Sequence, residues 1–230
     1  MNLSQVNNFL TSCLKVFKYF LFSVFLSVCC IVILDLLIKS GFIEHLNDPI
    51  MDILSQESGK QSIFFYFVVI GPMVEEFAFR FYLIYKPKYV SISFALIVAY
   101  FSLSIISYFP SLIENKFILV ASLTGLSLIS FYVAFYLIRN DEVNKQSVRK
   151  FWEQHPIGIF YSSIILFGLI HLPNYEGLTF GQIIYTPLII GPQMICGYFL
   201  AKLRIEQGII WSILLHILIN GFSSMKYLIY

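Results

Sequence analysis

Seven apolar stretches, set apart by polar or charged connections, run along the chain at residues 19–38, 62–85, 89–109, 117–138, 157–172, 181–201 and 208–225. A helix needs about 20 mostly apolar residues to cross the hydrocarbon of a bilayer. Each stretch spans that thickness or nearly does; the fifth is the short one and stops at His171-Leu172-Pro173. The pattern predicts an all-α fold, a polytopic transmembrane helical bundle of about seven spans. Most connections are brief, while 39–61 and 139–156 are longer, polar and charged. Gly71-Pro72 and Gly191-Pro192 predict kinks in their helices. No internal repeat, low-complexity tract or interdomain linker interrupts the series. The expected organisation is an N-terminal transmembrane helix with its outer loop over 1–61, followed by one core over 62–225.

Composition agrees with that picture and narrows it. The chain is 58% hydrophobic and only 12% charged, more apolar surface than a soluble domain has use for. A net charge of +2 without a basic cluster gives no sign of nucleic acid as a partner; membrane lipids are the expected surroundings. Cys13, Cys29, Cys30 and Cys196 lie in or beside apolar runs, without zinc-site or disulfide spacing, and read as small apolar fillers. Lys15 and Lys18 precede a run too long for a signal-peptide core and lacking a small-x-small cleavage site, so a retained first helix is expected.

Alternate connections give the orientation. One side collects Lys15, Lys18, Lys86, Lys88, Arg139, Lys145, Arg149, Lys150, Lys202 and Arg204, ten basic residues against four (Lys39, Lys60, Lys116, Lys226) on the other. The bias toward basic cytoplasmic loops places the N-terminus in the cytoplasm and the C-terminus outside. Asp35, late in the first stretch, is then expected at the outer interface.

Three strings inside these apolar stretches carry the candidate chemistry: Glu75-Glu76-Phe-Ala-Phe-Arg80, Phe167-Gly-Leu-Ile-His171 and His216-Ile-Leu-Ile-Asn220. A charge at mid-membrane costs on the order of 2.5 kcal/mol or more and marks a functional position. At a rise of ~1.5 Å per residue, Glu75 sits ~15 Å, His171 ~20 Å and His216 ~12 Å from the cytoplasmic ends of their stretches. Segments far apart in sequence therefore deliver polar groups to one layer.

Glu76 and Arg80, four apart, share a helix face and can pair, while Glu75 is turned away by ~100°. That split assigns Glu75 as general base toward a water, with Glu76–Arg80 as structural and electrostatic support. The competing reading is a helix-packing ion network. Phe167 reads as packing, and His171 taken alone reads equally well as a satisfied core histidine. His216 and Asn220 also share a face; they can hold a water, a metal or a carbonyl oxygen, an asparagine amide being a suitable oxyanion donor, or form an interhelical clasp. Together the groups suffice for attack of water on a peptide bond. Two versions stay open: Glu75, His171 and His216 binding a divalent metal such as zinc, or the histidines positioning water without one. His-Glu-x-x-His and Gly-x-Ser-x-Gly are both absent.

The order and spacing of Glu-Glu-x-x-x-Arg, Phe-x-x-x-His and His-x-x-x-Asn resemble the CPBP family, the CAAX protease and bacteriocin-processing intramembrane proteases. Gly208-Ile-Ile-Trp-Ser-Ile-Leu-Leu-His216 leading into Asn220 is similar to that family's last core segment, and the likeness covers roughly 62–225. The resemblance implies an intramembrane endopeptidase, labelled a metalloprotease, opening toward the cytoplasm. It carries water activation onto Glu75, the supporting pair onto Glu76 and Arg80, the two histidines onto His171 and His216, and oxyanion binding onto Asn220. Many bacterial members have Gly where this chain has Phe81, a change that bears on packing and leaves the reacting groups intact. Asn174 and Glu176 are candidates for the cavity rim. The expectation is a multi-pass protease of a bacterial cytoplasmic membrane, acting on a peptide or membrane-protein substrate in bacteriocin processing, immunity or envelope traits. Its rival is a non-catalytic membrane partner that binds without cleaving; a proton-coupled transporter is a weaker third reading, since no inverted repeat is visible.

Overall fold

A computed structural model describes residues 3–43, 64–107, 116–139, 142–175 and 180–225. Of the positions named above, Lys60, Glu176 and Lys226 lie outside the described residues, as do the side chains of Lys116, Arg139 and Lys145. The protein is a helical membrane bundle, with no strand among the described residues. Its helices are α1 (Leu3–Lys39), α2 (Gly71–Phe79), α3 (Pro87–Ser107), α4 (Lys116–Arg139), α5 (Glu142–Gln154), α6 (Pro156–Leu169), the one-turn α7 (Thr186–Ile189), α8 (Gly191–Gln207) and α9 (Ile209–Ser224). Short 3-10 turns occupy Phe81–Leu83, Leu172–Asn174 and Phe180–Tyr185, and a π-turn occupies Tyr66–Ile70.

Asn7–Lys39, Pro156–Asn174 and Gly181–Gln207 are long and apolar enough to cross a membrane, and Pro87–Ser102, Ser122–Tyr136 and Ile209–Ser224 are shorter apolar helices. The stretch 62–85 differs from the expectation of one continuous span. It divides into the π-turn, the nine-residue α2 and a 3-10 turn, with Arg80 (φ −120°, ψ −16°) outside helical geometry between the last two. Pro72 explains the first break: it has no N–H to give to the preceding turn, and widening that turn is one way a helix accommodates a proline. Gly191-Pro192 gives the expected break, Ile190 standing between α7 and α8 with φ −90° and ψ 6°.

The chain divides into two compact units, Met1–Met73 with Phe167–Tyr230, and Val74–Leu166. In the first, α1 packs along α8 and α9, α8 along α9, and α9 against the π-turn. Polar side chains line the α1–α8 contact: Ser23 Oγ donates to Cys196 Sγ at 3.3 Å, Tyr19 O–H to the Glu206 carboxylate at 3.0 Å, and Lys15 pairs with the same carboxylate at 3.0 Å. The opposite side of α1 exposes Leu14, Phe17, Leu21, Phe25 and Val32, a surface suited to lipid. Asp35 is exposed and pairs with Lys39 at 2.6 Å.

A single residue, Gly208, joins α8 to α9. It has φ 103° and ψ 176°, while its N–H still closes α8 on Arg204 O at 3.1 Å. Only glycine takes that backbone conformation without strain, so the tight reversal that sets α9 beside α8 is written into one position.

The second unit packs α3 along α4, α4 against α5, and α3 against the 3-10 turn at Phe81–Leu83. The connection 139–156 contains a helix, α5, that the polarity of the segment concealed. Among its described side chains Val148 and Trp152, four apart, are half-buried, while Arg149, Lys150 and Glu153 are exposed; apolar positions on one face dock a helix that is otherwise mostly polar.

Gly208→Ala should lower stability by about 1–3 kcal/mol, the cost of a non-glycine residue in a glycine-only region. Thermal unfolding in detergent checks it, with Gly125→Ala as the control, since a Cβ at Gly125 meets nothing within 4 Å.

Candidate active site

Glu75 and Glu76 occupy the middle of α2, and the structure separates them as helical geometry demands. Glu76 and Arg80 are both completely buried, with Arg80 Nε 3.5 Å from Glu76 Oε1, while Glu75 is only half-buried. Two ionised groups in an apolar interior are tolerable only when each offsets the other's lost hydration. The pair therefore lets the end of α2 be buried with its charges offset.

That end is held by side chains as well. The last carbonyls of a helix have no partner within it. Here Ser93 Oγ of α3 donates to Phe77 O at 2.9 Å, Ser163 Oγ of α6 donates to Phe79 O at 2.6 Å, and Trp152 Nε1 of α5 donates to Tyr82 O at 2.8 Å. Ser93 and Ser163 are buried. Sequence reasoning passed over these three donors; the available signal was serine inside an apolar run, which in a membrane helix needs a partner. Phe81 stacks on Tyr89 with ring centroids 3.9 Å apart and meets Phe77 edge-on at 5.1 Å. The residue that departs from the common glycine is thus part of this unit's packing.

In the other unit, Phe167 has a role beyond filling space. Its ring lies 4.8 Å from the His171 ring and 5.6 Å from the His216 ring, near edge-to-face with both. One phenyl group thereby sets the position of two imidazoles that are 45 residues apart in sequence. The end of α6 comes close to the start of α8 at a glycine: a Cβ at residue 168 would stand 2.7 Å from Met194 Cγ and 3.1 Å from Ile190 Cδ1. His171 follows α6, and its Nδ1 lies 2.7 Å from Phe167 O. A carbonyl can only accept, so Nδ1 carries the proton in this contact. Asn174, in the 3-10 turn after His171, is half-buried.

His216 is buried on α9, and Asn220 stands one turn later on the same face. Asn220 Nδ2 donates to Phe67 O in the π-turn at 3.0 Å. The reason is legible in the backbone. Gly71 N–H bonds Tyr66 O, so in this wide register Phe67 O would look to residue 72, a proline with no hydrogen to give. Asn220 supplies the missing donor and fixes α9 against the π-turn that leads into α2.

The structure thus brings Glu76 to Arg80 in one unit, and His171, His216 and Asn220 to the Phe167 ring and the π-turn in the other. Among the described residues no group of three or more His, Cys, Asp and Glu side chains is placed to hold a metal ion.

The family model for type II CAAX prenyl endopeptidases, Rce1-like, matches residues 59–222. The chain belongs to this family. It is, at family level, a membrane-embedded CAAX-type protease, in line with the resemblance carried by the three motifs. No curated protein and no solved structure matches the chain. The matched range contains Glu75, Glu76, Arg80, His171, His216 and Asn220.

Breaking the buried pair on one side leaves an uncompensated charge. Glu76→Leu alone should cost about 3–5 kcal/mol, and Glu76→Leu with Arg80→Met should recover most of that loss. Thermal unfolding of the two single variants and the double variant, read as a cycle, checks it.

Proposed function

We propose that this chain is an intramembrane endopeptidase in which Glu75 activates the hydrolytic water. The observation that carries the reading is the division between adjacent glutamates: Glu76 is consumed in a buried ion pair with Arg80, while Glu75, one residue earlier, is half-buried on another face. A pair serving packing alone has no use for a second carboxylate beside it at that depth.

In the proposed reaction Glu75 takes a proton from water as the water oxygen bonds to the carbonyl carbon of a peptide bond. The carbonyl π-electrons move onto oxygen, giving a tetrahedral oxyanion. Asn220 has two amide hydrogens; one goes to Phe67 O, and the second serves the oxyanion. His171 and His216, held at the Phe167 ring, orient the water and the developing charge. Collapse of the intermediate breaks the C–N bond, and the proton held by Glu75 passes to the leaving nitrogen, releasing a carboxylic acid and an amine, between which the remaining acid proton then passes to give carboxylate and ammonium. The substrate is a peptide or a membrane-protein segment, with prenylated CAAX tails and bacteriocin-type leader peptides as the classes to try. The charge asymmetry of the connections supports a cytoplasmic N-terminus.

Membranes holding wild type or Glu75→Ala at matched protein level should differ in the peptides they release from such pools, as read by mass spectrometry. The expected loss is ~100-fold or more, the scale of general-base catalysis. Equal release would favour a partner that binds without cutting.

A further inference from the structure

The second unit holds a cavity of about 410 Å³ that the reaction above does not use. Val90, Phe94 and Ile97 of α3, Trp152 of α5, and Ile159 and Leu166 of α6 are among the residues of its wall. The volume is that of a small ligand site. Polar groups reach the wall at Tyr82, Ser93, Trp152, His155 and Ser162, and each has a partner in a neighbouring hydroxyl or a backbone carbonyl: Ser93 with Phe77 O, Trp152 with Tyr82 O, Ser162 with Ile159 O, His155 Nδ1 with Phe151 O at 3.0 Å, and Tyr82 Oη 3.2 Å from Ser162 Oγ. What the wall offers a guest is hydrocarbon.

The edge of the same region is basic. Lys86 and Lys88 precede Val90 at the start of α3, and Arg149 and Lys150 precede Trp152 on α5; all four are exposed. The two clusters are drawn together by the rings of Tyr85 and Trp152, whose centroids are 5.7 Å apart. Glu153 pairs with Arg149 at 2.8 Å, which leaves the three lysines as the excess charge among the described side chains of this edge. An apolar slot ending at an interfacial tryptophan and a cluster of lysines matches an acyl chain that ends in an anionic head group.

We propose that α3, α5 and α6 bind one anionic phospholipid, with an acyl chain in this cavity and the head group against Lys86, Lys88 and Lys150. The side chains that cap the end of α2, Ser93 and Trp152, are part of the cavity wall, so a bound chain braces the turn that carries the Glu76–Arg80 pair. Binding is read directly, and the failure of the protease reading would leave this proposal standing.

The test uses the purified full chain with phosphatidylglycerol and phosphatidylcholine of identical acyl composition, retained lipid being counted by native mass spectrometry and the unfolding temperature recorded in parallel. Wild type should retain phosphatidylglycerol roughly five-fold over phosphatidylcholine, the discrimination one basic residue provides near an anionic surface. Gly158→Leu should abolish retention of both without lowering the unfolding temperature in lipid-free detergent, because a Cβ at Gly158 meets nothing within 4 Å and a leucine fills the space. Lys86→Gln with Lys88→Gln and Lys150→Gln should keep retention and lose the preference. Equal retention of the two lipids by wild type overturns the proposal, as does unchanged retention in Gly158→Leu. Displacement of the lipid by a farnesylated peptide, but not by the unmodified peptide, also overturns it by assigning the cavity to substrate.

Discussion

A backbone carbonyl without a hydrogen-bond partner costs several kcal/mol where water is excluded, and the geometry around α2 follows from avoiding that cost. Pro72 withholds a hydrogen from the turn before it, the turn widens, and Asn220 of α9 answers Phe67 O. At the other end α2 stops at Phe79, and the carbonyls it leaves behind are taken by Ser93 and Ser163. Each donor sits on a helix distant in sequence. Within the second unit, satisfying the end of this nine-residue helix therefore prescribes where parts of α3 and α6 must stand; within the first, the π-turn does the same for α9.

The same constraint gives the candidate site its precision. Glu76 and Arg80 are buried together, so that face is turned inward and Glu75, ~100° around the helix, is directed to another. In the first unit the ring of Phe167 does for two histidines what the ion pair does for the glutamates. Reactive groups placed by packed aromatic rings and buried hydrogen bonds lose little freedom when a substrate arrives, which is the condition for effective acid–base and oxyanion chemistry.

Much of this was legible in the chain. Apolar period and length located the helices, and the i, i+4 spacing predicted both the Glu76–Arg80 pair and the shared face of His216 and Asn220. What sequence could not give were consequences of three-dimensional proximity. Nothing in the string marks Phe167 as the neighbour of a histidine on α9, or Asn220 as the answer to a proline near residue 70. The stretch 62–85 reads as one span because hydropathy is blind to hydrogen-bond register. Helix α5 was hidden for the opposite reason: a helix docked by apolar positions on one face and otherwise mostly polar has the composition of a loop. Ser93 and Ser163 look like tolerated small residues until the carbonyls they serve are in view.

The account rests on a division of labour between two neighbouring carboxylates, one structural and one chemical. The direct measurement compares Glu75→Gln with Glu76→Gln on purified protein, recording unfolding temperature and peptide turnover from the same preparations. The account predicts that Glu75→Gln unfolds at the wild-type temperature and does not turn over, while Glu76→Gln unfolds at a clearly lower temperature. Retained turnover in folded Glu75→Gln, or a loss of stability confined to that variant, would contradict it.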